Sequence, residues 1–232
     1  ILIFSLIFFS NLCILLSGER AAFFLNILFI LLISLLIEKY KILRIGLLFF
    51  TVLTIVIVSS FNNPIKDRMI NYTAEQLFAD KKFENVDTIY ISREHDPIYF
   101  SAISMYLKNP VFGVGPKMFR ELCNKEEYYY PGSCSTHPHN NYLQVMAETG
   151  TIGLLFLLIP GMYLLFNLLL HIKNSIYNSK KSNDFDLCIL ICLAITLWPL
   201  VPNQNFFNGW ISIIYFLPVG FYLHSLYMRK LP

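Results

Sequence analysis

Ile42-Leu43-Arg44-Ile45-Gly46-Leu47-Leu48-Phe49-Phe50-Thr51-Val52-Leu53-Thr54-Ile55-Val56-Ile57-Val58-Ser59-Ser60-Phe61 runs for twenty residues with a single charge. A helix of about 20 apolar residues is what a hydrocarbon core of about 30 Å demands. The run lacks two-residue alternation, so it reads as a helix and not as a barrel strand. Five further stretches read the same way: Ile1–Leu16, Ala21–Ile37, Ile152–Leu170, Leu187–Val201 and Trp210–Tyr227. The whole chain agrees, with 56% apolar residues, 14% charged ones and a mean hydropathy of +0.55. The predicted fold class is therefore an all-α polytopic membrane protein with about six transmembrane helices. Residues 1–61 hold the first three, 62–150 form a large loop of short helices, and 151–232 hold the last three. The first stretch has no initiator Met and no basic leader, so it reads as a helix cut partway and the chain as the C-terminal part of a longer protein.

Basic residues orient this arrangement. Lys39, Lys41 and Arg44, then Lys173, Lys180 and Lys181, then Arg229 and Lys230 all fall on one side of a six-pass chain. The positive-inside rule makes that side cytoplasmic, with the C-terminus, and sends the long loop outward. The loop itself is nearly balanced in charge, and the net charge of +3 comes with no basic stripe, so nucleic acid is excluded as a partner.

The densest polar chemistry lies just before the fourth apolar stretch, in Thr136-His137-Pro138-His139-Asn140-Asn141-Tyr142-Leu143-Gln144-Val145-Met146-Ala147-Glu148-Thr149-Gly150-Thr151-Ile152-Gly153. Polar groups beside a membrane are costly to hold and usually have a task. Pro138 suits the first position of a helix and Gly150 its end, which predicts one helix over 138–149. His139 then stands in the first turn, where the helix dipole disfavours imidazolium and leaves a neutral ring able to accept a proton. The competing reading is that His139 only caps and orients the chain.

Upstream, Asp96-Pro97 signals a helix start and Asn109-Pro110 its end, enclosing a short apolar segment suited to the membrane interface. Gly113-Val114-Gly115-Pro116 is a tight turn into another short helix carrying Phe119 and Arg120. Tyr128, Tyr129 and Tyr130 suit either sugar stacking or an aromatic belt. Cys13, Cys188 and Cys192 lie in apolar helices, where a small buried thiol is the default. Cys123 and Cys134 lie in the outer loop, where a disulfide would contribute about 3 kcal/mol; a zinc site using His137, His139 and a thiol lacks the usual tight spacing. Arg20, Arg68 and Arg93 fall on the same side as His139. Converging arginine forks suit a diphosphate, whereas singly each reads as a membrane anchor, an ion pair with Glu19 in the case of Arg20, or a solvated loop charge.

Asn109-Pro110-Val111-Phe112-Gly113-Val114-Gly115-Pro116-Lys117-Met118-Phe119-Arg120, followed by His137-Pro138-His139-Asn140-Asn141-Tyr142-Leu143-Gln144 and Glu148-Thr149-Gly150-Thr151-Ile152-Gly153-Leu154, resembles the O-antigen ligase and O-antigen polymerase superfamily. Ser17-Gly18-Glu19-Arg20-Ala21-Ala22 resembles the arginine turn that opens that family's shared region. The resemblance covers about residues 17–170.

The resemblance implies a membrane-embedded glycosyltransferase of GT-C type in the bacterial inner membrane, inverting and independent of metals and other cofactors. Its donor would be a glycan on undecaprenyl diphosphate and its acceptor lipid A-core, with membrane lipids around it. Another lipid-linked repeat (a polymerase) or a protein is the alternative acceptor. His139 would deprotonate the acceptor hydroxyl. Arg20, Arg68 and Arg93 would hold the donor, although Ser92-Arg93-Glu94-His95-Asp96 departs from the family's Gly-Arg element and His95 is an alternative there. Asn140, Tyr142 and Glu148 would contact substrate, and Glu148, opposing a helix dipole near a C-terminus, should have a cationic partner. The rival classes are a non-enzymatic transporter of lipid-linked glycan and a metal-dependent membrane hydrolase.

Overall fold

The computed structural model describes residues 2–61, 64–78, 95–177 and 183–229, without the side chains of 76–78 and 175–177. Arg93, Lys81, Lys82, Lys180, Lys181 and Lys230 lie outside the described residues. Among those described every regular element is helical, and each of the six apolar stretches forms a helix. These are α1 (Leu2–Ser17), α2 (Arg20–Leu36), α3 (Lys41–Ser60), a single turn α4 (Pro64–Lys66) running through a wide turn at Asp67–Asn71 into α5 (Tyr72–Phe78), α6 (Asp96–Lys108), α7 (Phe119–Leu122), α8 (Asn141–Tyr177), α9 (Asp184–Thr196) and α10 (Gly209–Met228). Three of them are long and apolar enough to cross a membrane: Lys41–Ser60, Asn141–Asn174 and Gly209–Met228. Among the described residues the architecture is thus all-helical, with three helices able to span a membrane. The other three apolar helices have 16, 17 and 13 residues. At 1.5 Å per residue each falls short of the hydrocarbon thickness.

The chain divides into two compact units, one built from residues 1–78, 165–196 and 221–232, the other from 79–164 and 197–220. Boundaries drawn on hydropathy, at 61 and 150, follow the solvent; these units follow packing.

In the first unit a polar chain ties three apolar helices together. Fully buried Asn11 of α1 donates to Thr51 Oγ1 of α3 at 3.3 Å and accepts from Asn26 Nδ2 of α2 at 2.7 Å. Among apolar helix faces such amides supply the directionality that packing alone lacks. Arg44 is buried: its guanidinium donates to the carbonyls of Lys39, Ile33, Ser34 and Glu38. A cation there satisfies the orphan carbonyls at the end of α2 and meets the negative pole of its dipole. Asp186 is buried and accepts from Ser225 Oγ, with Arg229 Nη2 at 2.6 Å. Cys13, Cys188 and Cys192, expected buried, are exposed on their helices; a small soft thiol is compatible with an apolar surround.

In the second unit Pro97 occupies the first turn of α6, and the helix begins at Asp96 behind His95, one residue earlier than an Asp96 cap would place it. Asn109 closes it, its N–H binding the carbonyls of Met105 and Tyr106. Ile98, Ala102, Met105, Phe119, Cys123, Tyr128 and Ala147 form the core, with Val114, Leu122 and Leu143 packed against it. Tyr128 is therefore a core residue, accepting from Asn109 Nδ2, while Tyr129 and Tyr130 are exposed. A disulfide joins Cys123 to Cys134, with Cα atoms 5.3 Å apart.

Candidate functional site

The helix expected over 138–149 begins later, at Asn141. Asn140 is the reason: its Oδ1 accepts the N–H of Tyr142 at 3.0 Å and of Leu143 at 3.1 Å, the bonds of an N-cap. His139 consequently stands outside the helix, in left-handed backbone with φ 55°. Histidine visits that region more readily than most side chains, at a cost of order 1–3 kcal/mol.

Three imidazoles meet there. The His137 and His139 ring centroids are 4.2 Å apart, and His95 stands edge-on to His139 at 5.5 Å. His137 is buried; its Nε2 donates to the Asn203 carbonyl at 3.0 Å, so its Nδ1 accepts from Thr136 Oγ1 at 2.9 Å. Both nitrogens are therefore committed, and burial favours the neutral ring that this assignment requires. His139 Nε2 is 3.0 Å from Ser135 Oγ, and its Nδ1 has no hydrogen-bond partner among the described residues. Burial, then the neighbouring His137 and His95, push the His139 pKa down to about 4. Burial also lowers that of His137 against the opposing pull of the Asn203 carbonyl. The neutral His139 expected from a helix dipole is thus neutral for a different reason, desolvation and crowding by other imidazoles.

The segment 197–208 grips this loop. Asn203 N–H binds the His139 carbonyl at 2.7 Å, while Asn140 Nδ2 binds the Pro199 carbonyl at 2.8 Å. Tyr142 OH donates to the Leu197 carbonyl at 2.6 Å, Asn141 Nδ2 to Tyr215 OH at 2.9 Å, and Gln144 Nε2 to Asn205 Oδ1 at 2.9 Å. Asn140 and Tyr142, expected on substrate, both bond to this segment. Gln144 stood in the quoted motif without a role of its own; Ser135, Asn203 and Asn205 were not singled out from the sequence, where the signal for the last two is the Pro-Asn-rich break between two apolar runs.

Glu148 is buried and holds the other motif in place. Its carboxylate accepts from Lys117 N–H at 2.8 Å, Phe119 N–H at 3.1 Å and Gln144 Nε2 at 3.3 Å. These N–H donors satisfy it directly; among the described residues no salt bridge reaches it, and Lys117 is the cation that acts on it through space. In return Val114 N–H and Gly115 N–H bind the carbonyls of Ala147 and Glu148, and Thr151 N–H binds that of Pro110. Gly150, at φ 67°, breaks the helix there, and a Cβ on it would overlap the Val111 carbonyl. A Cβ on Gly113 would overlap the backbone of residues 147–149. Both glycines are demanded by this close approach.

A family model described as O-antigen ligase matches residues 3–158. The chain belongs to the O-antigen ligase family. No curated protein and no solved structure matches it. The family match contains the three histidines and both glycine elements of this O-antigen ligase family member, but stops short of the segment 197–208 that holds them.

Arg20 and Arg68 belong to the first unit. Arg68 Nε donates to the Gly18 carbonyl at 3.0 Å and its Nη2 lies 3.6 Å from Glu19, both side chains largely exposed. Arg68 thus meets Glu19. Arg20 Nη1 donates to Thr73 Oγ1 at 3.3 Å, and its guanidinium lies 4.8 Å over the Tyr72 ring. The turn at Gly18 thereby brings these two arginines onto one small scaffold with residues 64–78.

Proposed function

We propose that this protein is an inverting, metal-independent glycosyltransferase that moves a glycan from undecaprenyl diphosphate to lipid A-core, with His139 as general base. The observation that carries the reading is the imidazole itself: partly buried, its charged form disfavoured by burial and neighbouring imidazoles, with an open Nδ1 in a loop fixed by hydrogen bonds on both sides. Family membership supports the glycan substrate class.

In the proposed reaction the acceptor oxygen attacks the anomeric carbon as its proton passes to His139 Nδ1. A new C–O bond forms, the bond from that carbon to the diphosphate oxygen breaks, and undecaprenyl diphosphate leaves with the electron pair. The imidazolium returns its proton to solvent. With Nε2–H donating to Ser135 Oγ, the lone pair lies on Nδ1. The diphosphate is already a good leaving group, so what remains to be supplied is charge stabilisation and a positioned hydroxyl. Arg20, Arg68 and Arg93 are proposed for the former. The Cys123–Cys134 disulfide supports an oxidising compartment, hence a periplasmic loop and an inner-membrane location with the C-terminus in the cytoplasm. A six-pass GT-C arrangement, with α1, α2 and α9 as further crossings, is part of the same proposal.

The test is reconstitution of the full-length protein with an undecaprenyl-diphosphate-linked glycan and either lipid A-core or a second lipid-linked repeat. Transfer to lipid A-core is expected. Growth on the second repeat would make it a polymerase, and donor binding without transfer to either would favour a protein-directed transferase or a transporter.

A further inference from the structure

Lys117, Arg120, Thr136, Asn205, Asn208 and Gly209 line a polar cavity of about 290 Å³ within the second unit. It borders the histidine cluster, because Thr136 Oγ1 is the hydroxyl that donates to His137 Nδ1. The mechanism above makes no use of it.

Its hydrogen-bonding capacity is weighted towards donors. Asn205 Oδ1 already accepts from Gln144 Nε2 and Phe207 N–H, so the amide group left to Asn205 is its Nδ2 donor. Asn208 Oδ1 accepts the N–H of Trp210 at 3.0 Å, leaving one lone pair and the two protons of its Nδ2. Lys117 and Arg120 carry donors only. Arg120 Nε holds exposed Glu121 at 3.1 Å, an ion pair of little strength in water. Lys117 feels the Glu148 carboxylate, but that group is buried and already accepts three N–H donors. The cavity therefore presents two cations and two amide donors, and it lies at the start of α10, where the dipole also favours an anion. Thr136 is the exception: with its proton on His137, it offers lone pairs to a hydroxyl.

We propose that this cavity binds an acidic sugar residue, its phosphate or carboxylate on Lys117 and Arg120 and a ring hydroxyl on Thr136. The proposal rests on the glycosyl-transfer reading, since it names the class of saccharide presented beside His139. Acceptor and donor glycan share this chemistry, and the test separates them.

The full-length protein in lipid nanodiscs is titrated with glucose 6-phosphate, glucuronate, inorganic phosphate and glucose. The two acidic sugars are expected to bind at least about tenfold tighter than glucose or phosphate. Lys117→Gln with Arg120→Gln removes that advantage, Lys117→Arg with Arg120→Lys largely restores it, and Lys125→Gln, outside the cavity, leaves it intact. Equal binding of acidic and neutral sugars, phosphate binding as tightly as glucose 6-phosphate, or an undiminished preference in the double variant overturns the proposal. In transfer assays, a defect of the double variant that vanishes with a neutral acceptor assigns the cavity to the acceptor; one that vanishes with a neutral donor glycan assigns it to the donor. Absence of any transfer would strike the glycosyl-transfer reading and leave the binding arm standing.

Discussion

His137 and His139 face each other with ring centroids 4.2 Å apart, while the Asn203 backbone binds both, the His137 ring through its carbonyl and the His139 carbonyl through its N–H. One backbone unit thereby sets the spacing of two imidazoles, and the proximity penalises the charge of either.

Acid sensitivity follows from that crowding. The His139 pKa of about 4 in the fold lies below its ordinary 6.5. Above pH 6.5 both folded and unfolded forms are neutral and pH has no leverage. Below it the unfolded imidazole gains a proton that the folded one refuses, so stability falls between pH 6.5 and about 4. In kcat/KM the limb due to the base should lie near pH 4. In kcat it should move upward, because a bound diphosphate favours the imidazolium. Coincident limbs in the two profiles would speak against donor phosphates beside His139.

Gly113→Ala and Gly150→Ala should each destabilise the protein by more than about 2 kcal/mol, because the added Cβ meets backbone and both positions have positive φ. Thermal unfolding in detergent measures this. A loss of activity at unchanged stability would mean that the glycines act on substrate instead.

Replacing Cys123 and Cys134 by serine should cost about 3 kcal/mol, as expected for a loop of this length. The melting temperature of the oxidised wild type should fall on reduction by the same amount as in the double variant. A variant insensitive to the change would place the pair outside the folding unit.

Arg68→Lys should leave stability nearly unchanged, since its pair with Glu19 is largely exposed and worth under about 1 kcal/mol. Donor affinity should nonetheless fall about tenfold if the planar fork contacts the diphosphate. Arg20→Lys should weaken donor binding at least as much. Unaltered affinity in both would reduce these residues to scaffold contacts.

The helices were legible because their signal is compositional: twenty apolar residues such as 42–61 have few other solutions. The turn residues around the site were legible as types but not as partners. Gly113 and Gly150 read as separate punctuation, and only the fold shows that they serve one contact. The helix start was misplaced because Pro138 and Asn140 are both good N-terminal signals, and the asparagine side chain won by binding two amides. Glu148 looked like half of an ion pair, since a sequence displays charged side chains and hides backbone N–H groups. Segment 197–208 showed only a Pro-Asn-rich break and nothing of its partners: its work is done largely by main-chain carbonyls and amides, for which any residue suffices.

The most direct measurement is glycan transfer by His139→Asn in the reconstituted full-length protein. Asparagine tolerates the left-handed backbone at this position, so the loop is preserved where alanine would strain it. A loss of about 10²–10⁴-fold in kcat is expected, with donor binding and melting temperature unchanged. Transfer within a few-fold of wild type by this folded variant would contradict His139 as the base.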